Sequence, residues 1–580
     1  MNERKSRTAG QVVSGALILG LATVVSKVIG TLQKIPLQNI GGDGIFGIYN
    51  AVYPFYVLLV VVASAGIPVA VARLVAECEA AGDERGSRQV LHASCALMSV
   101  TGLIGFAAMM SGAEAIGGWI GNRHTVPAIQ SSAYALLVMP LAAALRGYNQ
   151  GRGEMNSTAV SQVIEQTGRV TVMIALLLYY TSHGAADETV AAGATFGSFA
   201  GGVCGLLTMG IYWWIEHRKR PNRMARQRKD TFAAATDEAV TVHSVQQGGR
   251  QRPDSAVVLV GPASRRQGGG SPTLWTMMRR LAWTALPICL GAIVMPAVNV
   301  VDVFTVPRLL LEQGLSEAGA LAQFGIYSRA FPLVQLVTMV AGSLAVGLVP
   351  TVAEAVRRQD EPQLRAIIQA SQRWAWLLGL AATAGLIALA EPINVALYTD
   401  NAGWTAFVLV ASTAVSGVFQ AVTAALMQGM GAVRAPALHL LAAACVKAAM
   451  NVWLVPAYGI AGAATSAAAA LALAAALNAL ALARASGVGI AAWGARSGRL
   501  ALALAGMAAA VWLAAALPAW LGASGRSGAA LATAVGVPLG AAAFAALAAA
   551  LGAVTPQELA TVPRIGPRLA AFASRLARRS

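Results

Sequence analysis

The segment Phe46 to Phe55, FGIYNAVYPF, recurs 278 positions later as Phe324 to Leu333, FGIYSRAFPL, with Phe, Gly, Ile, Tyr and Pro in register. At the same offset Gln150, Gly151 and Gly153 return as Gln428, Gly429 and Gly431, and Arg169 returns as Lys447. Two separated matches at one register mean a duplicated unit, which sets the fold before any local motif is read. The chain is expected to form two similar halves.

Those halves are built for lipid. With 57% hydrophobic and 12% charged residues and a mean hydropathy of +0.62, the chain has more apolar surface than a soluble domain buries. A helix crosses a ~30 Å hydrocarbon core with about 20 apolar residues. Runs of that kind predict an all-α, polytopic membrane protein of about 14 transmembrane helices, two pseudo-symmetric six-helix lobes plus two C-terminal helices. The first six lie near Val12–Ile35, Ile45–Val75, Gln89–Met110, Val126–Tyr148, Thr158–Tyr180 and Thr189–Ile215, with Gly41-Gly42-Asp43-Gly44 as the turn between the first two. The second six lie near Met278–Val306, Phe324–Val352, Ile367–Ala390, Trp404–Met430, Pro436–Val455 and Ile460–Ala483, and the added pair near Leu500–Leu517 and Ala529–Leu551. The expected organisation is a first lobe over 1–215, a basic disordered linker over 216–273, a second lobe over 274–485, two further helices over 486–555 and a basic tail over 556–580.

Lys and Arg concentrate on alternate loops beginning with the N-terminus, whereas the intervening loops hold only Arg123, Arg308 and Arg526. The positive-inside rule then places both termini and the linker in the cytoplasm of a bacterial cell membrane. The net charge of +17 reflects this orientation, not nucleic-acid binding. The basic start before Val12 reads as a retained first helix, since no small-residue cleavage site follows. In the tail, Leu569, Phe572 and Leu576 share a helical face beside Arg568, Arg575, Arg578 and Arg579, which suits either an interfacial helix on anionic lipid or a solvated basic end.

Motifs for enzyme chemistry are lacking. Gly42, Gly44 and Gly47 satisfy GxGxxG without a preceding strand. The six histidines show no paired metal spacing, and the five cysteines form no CxxC. No catalytic residue, metal or cofactor is expected. Gly193, Gly197, Gly201 and Gly205 make a smooth face for close helix packing or for sliding.

Charges inside apolar runs carry the functional information, because each is costly there and faces a cavity or a partner. They are Lys27, Lys34, Glu165, Arg169, Asp302, Arg329 and Lys447. Lys27 and Lys34 lie roughly 20° apart around a helix and roughly 10 Å apart along it. They form a basic stripe, unless Lys34 snorkels to the interface. Glu165 stands one turn before Arg169, so the two are expected either to neutralise each other or to bind ligand. Lys447 has no acid within a turn, and Asp302 is the embedded acid available to it. Arg329 replaces Ala51 of the first copy, so the shared fold does not demand it. It is expected to face the cavity and an anionic ligand, the alternative being a buried ion pair.

Two helical halves around a cationic cavity suit alternating access, and the pyrophosphate head of a polyprenyl-linked saccharide suits the cavity, with Lys27, Lys34, Arg329, Lys447 and Arg169 as the expected substrate-binding cations. The run from Ser26 to Glu77, beginning SKVIGTLQKIPL, resembles the opening of polysaccharide biosynthesis proteins of the stage V sporulation protein B type, within the multidrug/oligosaccharidyl-lipid/polysaccharide exporter superfamily. QGRGEMNSTAVSQVIEQTGRV, YGIAGAATS and ELATVPRIGPRL extend the resemblance over nearly the whole chain outside Glu216–Ser271. It implies an inverted-V transporter and a lipid II flippase acting in peptidoglycan or spore cortex synthesis. An essential cation carries over onto Lys27, and one on the eighth helix suggests Arg329. Some relatives hold sodium between the seventh and eleventh helices; here Asp302 would match while Lys447 stands as a fixed charge in place of the metal. The competing readings are an ion-coupled multidrug antiporter, against which the excess of embedded Lys and Arg argues, and a membrane-embedded glycosyltransferase or polymerase. Partners are the polyprenyl-linked saccharide and the bilayer, with the chain expected to act as a monomer.

Overall fold

The computed structural model describes residues 18–64, 66–242, 274–489 and 496–554. Every long regular element among them is an α-helix, as lipid requires of a chain whose backbone groups must be satisfied within each segment. In the first half these are α1 (18–32), α2 (Lys34–Ser64), α3 (Ile67–Ala80), α4 (Glu84–Ser111), α5 (Ala113–Ile120), α6 (Val126–Ala133), α7 (Met139–Gly151), α8 (Met155–Ser182) and α9 (Asp187–Val242). The second half has α10 (Leu274–Glu312), α11 (Glu317–Ser328), α12 (Phe331–Val346), α13 (Leu348–Arg357), α14 (Glu361–Ala388), α15 (Ala390–Tyr398), α16 (Trp404–Ala411), α17 (Thr413–Gly429) and α18 (Arg434–Ser486). α19 (Arg496–Trp520) and α20 (Gly525–Ala550) pack on one another and on α14 and α15.

Among the described residues ten helices are long and apolar enough to cross a membrane, or eleven with α14 and α15 taken as one span bent by 68°. Three expected features differ. The fourteen runs are not all separate elements: 18–80 and 434–486 each join two of them, and α8 is excluded by its polar content. Gly42 is a break inside a continuous helical path, at φ 74 and ψ 179, instead of a loop turn. That backbone is open to glycine because a Cβ would clash there. Finally, α9 runs on as helix to Val242, where irregular linker was expected from 216. Its Ala, Arg, Glu and Lys content favours helix once a membrane-spanning segment has nucleated it. Residues 243–273 and the tail helix at 568–579 lie outside the described residues.

The duplicated segment is where the halves cross. α2 and α11 approach so closely that a methyl on Gly47 would overlap the Leu321 carbonyl, and one on Gly325 the Asp43 carbonyl. Gly47 and Gly325 are the same position of the two copies. Around this crossing lies the largest buried apolar cluster, with Phe46, Tyr49 and Val52 from one half and Val303, Phe324, Tyr327 and Tyr398 from the other. In the first half the glycine face of α9 lies on α8, where Gly197 and Gly201 meet the backbone of Arg169 and Glu165.

The short inter-half hydrogen bonds lie at one end of the bundle, while Arg280 and Glu77 form a longer, exposed pair at 3.7 Å between α10 and α3. Asn39 Nδ2 donates to the Leu397 carbonyl at 2.6 Å, and Asn122 Nδ2 to the Glu317 carbonyl at 2.7 Å. By the alternation of crossings this end is opposite the α7–α8 loop.

Candidate functional site

A cavity of about 280 Å³ lies nearer the α7–α8 end, lined mainly by α1, α7 and α8 with Lys34 and Tyr53 of α2 and Gln335 of α12. Its wall is polar: Thr23, Ser26, Thr31, Gln162 and Gln166 offer hydroxyls and amides among the charges. Lys27 and Lys34 both point into it from one helical stripe. The Lys27 ammonium has no hydrogen bond or ion pair among the described residues, and Lys34 Nζ donates only to Asn50 Oδ1, at 3.1 Å. An ammonium at membrane depth costs on the order of 2.5–3.5 kcal/mol. Two of them without carboxylate partners therefore mark an anion-attracting hollow.

The third cation of the cavity is Arg146, which embedded-charge reasoning missed. It falls in the expected run Val126–Tyr148, but so near its end that it reads as a loop charge. Its position two turns inside a helix opposite the Glu165–Arg169 turn is the signal that would have found it. Arg146 Nη2 lies 2.6 Å from Glu165 Oε2 and donates to Ser161 Oγ at 2.8 Å. Glu165 Oε1 is 3.7 Å from Arg169 Nη2, so one carboxylate is held between two guanidinium groups. Arg169 itself is buried behind the cavity wall, where Nη1 donates to the Tyr53 hydroxyl at 3.4 Å. It shapes the wall but does not line the cavity.

Arg329 is placed elsewhere than expected. It is 0% exposed and does not line the cavity. Pro332 lacks an N–H, and the helix breaks between α11 and α12. This break frees the Arg329 carbonyl, which accepts the Tyr398 hydroxyl at 2.8 Å. The guanidinium forks onto Asp43, with Nη2 2.7 Å from Oδ2 and Nε 3.1 Å from Oδ1. Nη1 donates to Asp400 Oδ1 at 2.6 Å, and the group lies over the Tyr398 ring, 5.5 Å from its centroid. The absence of an acid within a turn suggested a free cation, yet the acids come from the expected turn before the second run and from the loop after α15. Arg329 thus clasps the two halves at the end opposite the cavity. Its hydrogen bonds hold the Asp400 carboxyl below the usual carboxylate range.

Lys447 and Asp302 form a second buried pair, 2.7 Å apart, joining α18 to α10. Tyr327 donates to Asp302 Oδ2 at 2.8 Å, and Asn451 Nδ2 reaches Oδ1 at 3.3 Å and Thr305 Oγ1 at 2.8 Å. Neither charge lines the cavity, so Lys447 is not the substrate-binding cation expected of it: its ammonium is held by the Asp302 carboxylate. Tyr327 and Lys447 are the repeats of Tyr49 and Arg169, so both halves set a cation of the fifth-type helix near a tyrosine of the crossing segment.

This architecture can be compared with known proteins. Residues 12–241 match the family described as polysaccharide biosynthesis protein. Over 454 residues the chain is 30% identical to the uncharacterized membrane protein YabM of Bacillus subtilis, covering 78% of this chain and 76% of that one. The chain belongs to the polysaccharide biosynthesis protein family. Two other relatives from Bacillus subtilis are each 24% identical: the lipid II flippase MurJ, over 77% of this chain and 78% of its own, and stage V sporulation protein B, over 78% and 80%. A solved lipid II flippase MurJ in an inward closed conformation has the same fold, with a TM-score of 0.59 at 11% identity over 92% of this chain and 98% of that chain. The family and the fold are those of multi-pass membrane transporters, not of enzymes.

Proposed function

We propose that the chain carries a polyprenyl-diphosphate-linked saccharide, lipid II or a close analogue, from the inner to the outer leaflet by alternating access, in peptidoglycan or spore cortex synthesis. The observation that carries this reading is the cavity with Lys27 and Lys34 free of carboxylates beside Arg146. A diphosphate is the anion that matches several converging cations, and the surrounding hydroxyls and amides suit a saccharide. The lipid tail needs no polar passage and stays in the bilayer. In this reading the cavity end faces the cytoplasm and the Arg329 clasp the outside, which the concentration of Lys and Arg on alternate loops supports. Alternating access then means breaking that clasp while the cavity end closes. A drug antiporter taking up cations would need free cavity acids, whereas Glu165 is already bound by two arginines.

Binding of undecaprenyl diphosphate to the purified full chain tests this reading. Lys27→Ala is expected to weaken binding about tenfold to a hundredfold, the loss of one charge-assisted contact of ~1.5–3 kcal/mol, while Lys27→Arg keeps most of it. Equal affinity in parent and Lys27→Ala would contradict it.

A further inference from the structure

Glu165 is the cavity's one acidic lining residue, and it occupies the place on Arg146 that an entering anion needs. Arg146 turns Nε and Nη2 to Ser161 Oγ at 3.2 and 2.8 Å, and Glu165 is its one carboxylate partner among the described residues. A diphosphate drawn in by Lys27 and Lys34 therefore meets a negative charge of its own sign, already hydrogen-bonded to the third cation. Two anions at one guanidinium repel unless one is neutralised.

We propose that Glu165 is a built-in competitor for the substrate's phosphate, and that binding of the anionic head group at Arg146 is linked to uptake of one proton by Glu165. This rests on the reading of the cavity as the diphosphate site and adds its regulation. The step balances simply: a proton from water joins the Glu165 carboxylate, the Arg146–Glu165 ion pair is lost, and the freed Nη2 donates to a phosphate oxygen.

The surroundings allow this exchange. Of the charged and titratable groups around Glu165, α1 and the start of α2 supply Lys27 and Lys34, α2 supplies Tyr53 and Tyr56, α7 supplies Arg146, and α8 itself supplies Arg169. The facing part of α9 is glycine: a methyl on Gly205 would stand 2.9 Å from Arg146 Nη2 and 3.1 Å from Glu165 Oε2. Gln335 is the neutral contribution of the other half. In the unliganded cavity the carboxylate partly neutralises this cationic wall. When the diphosphate takes over that role, Glu165 is the one acid present that can be discharged by a proton.

The test is isothermal titration of undecaprenyl diphosphate into the detergent-solubilised full chain, from pH 5.5 to 8.5, in buffers of different ionisation enthalpy. At pH 8 the free diphosphate holds no readily lost proton, and a buried lysine of the cavity can itself gain a proton when an anion binds, so the share of Glu165 is read from the difference between the parent and Glu165→Gln. The parent is expected to take up about one proton per ligand, and its affinity to rise as pH falls, by up to tenfold per unit. Glu165→Gln is expected to bind tighter than the parent at pH 8, with a slope flatter by about one proton. Net release by the parent, or equal slopes in parent and Glu165→Gln, would overturn the linkage and leave the cavity reading standing. If neither protein binds the ligand at any pH, both fall. If Glu165→Gln does not fold, the count is made on Lys34→Gln, which removes the other group able to gain a proton: uptake that stays near one proton supports Glu165, and uptake that vanishes overturns the linkage.

Discussion

Arg329→Ala is expected to shift the protein from closed to open at the end opposite the cavity and to abolish transport. The side chain is 0% exposed and its guanidinium holds Asp43 of one half and Asp400 of the other. Asp43 is largely buried and loses its counter-charge, a loss of about 3 kcal/mol at the lower end of the range for broken buried pairs, whereas the half-exposed Asp400 adds little. The open state lets water reach Asp43 and so escapes most of that cost. Even ~3 kcal/mol of differential effect changes the closed-to-open ratio by more than a hundredfold. Spin labels on the loops 183–186 and 313–316 are expected to separate in Arg329→Ala and to stay close in the parent. An unchanged distance would remove Arg329 from the closure. The pH sign follows from Asp400, whose carboxyl lies below its ordinary value of 3.8. Its contribution is complete above that value and is lost as pH falls through the lowered one. The clasp is therefore expected to stay intact from pH 5 to 8 and to weaken only in stronger acid.

Lys447→Met is expected to be strongly destabilising. It leaves Asp302 ionised between α10 and α18 with only the Tyr327 hydroxyl and the Asn451 amide, at a cost of about 3–5 kcal/mol. The pair as a whole is worth much less than either half-broken form, since desolvation offsets most of its attraction. Lys447→Met combined with Asp302→Asn is therefore expected to recover most of the loss, a non-additivity of a few kcal/mol between contacting residues. Thermal unfolding in detergent reads this directly. A double variant no more stable than Lys447→Met would mean that the pair acts through something other than charge compensation.

The fold was open to sequence reading because duplication and apolar run length are properties of contiguous residues. The FGIY segment, kept in both copies, proves to be the crossing of the halves, with Gly47 and Gly325 at the closest approach. Charges paired within a turn, such as Glu165 and Arg169, are equally visible. Asp302 could be named for Lys447 because both stand isolated in apolar runs and need a counter-charge. Arg329 exposes the limit: Asp43 and Asp400 lie in segments read as a turn and a loop, 286 and 71 positions away. A charge in a loop is read as solvated, and nothing in a linear pattern shows that it folds back onto a helix break. Arg146 was lost for the same reason at the end of a run. The helical continuation to Val242 shows local propensity prevailing where basic composition suggested irregular chain.

The most direct test of the account is translocation by the full chain reconstituted in liposomes, using a fluorescent undecaprenyl-diphosphate saccharide whose outward-exposed fraction is quenched from outside. The account predicts that liposomes holding the parent protein equilibrate the lipid between leaflets while Lys27→Ala liposomes behave like protein-free ones. Translocation at the parent rate by Lys27→Ala, or none by the parent, would contradict it.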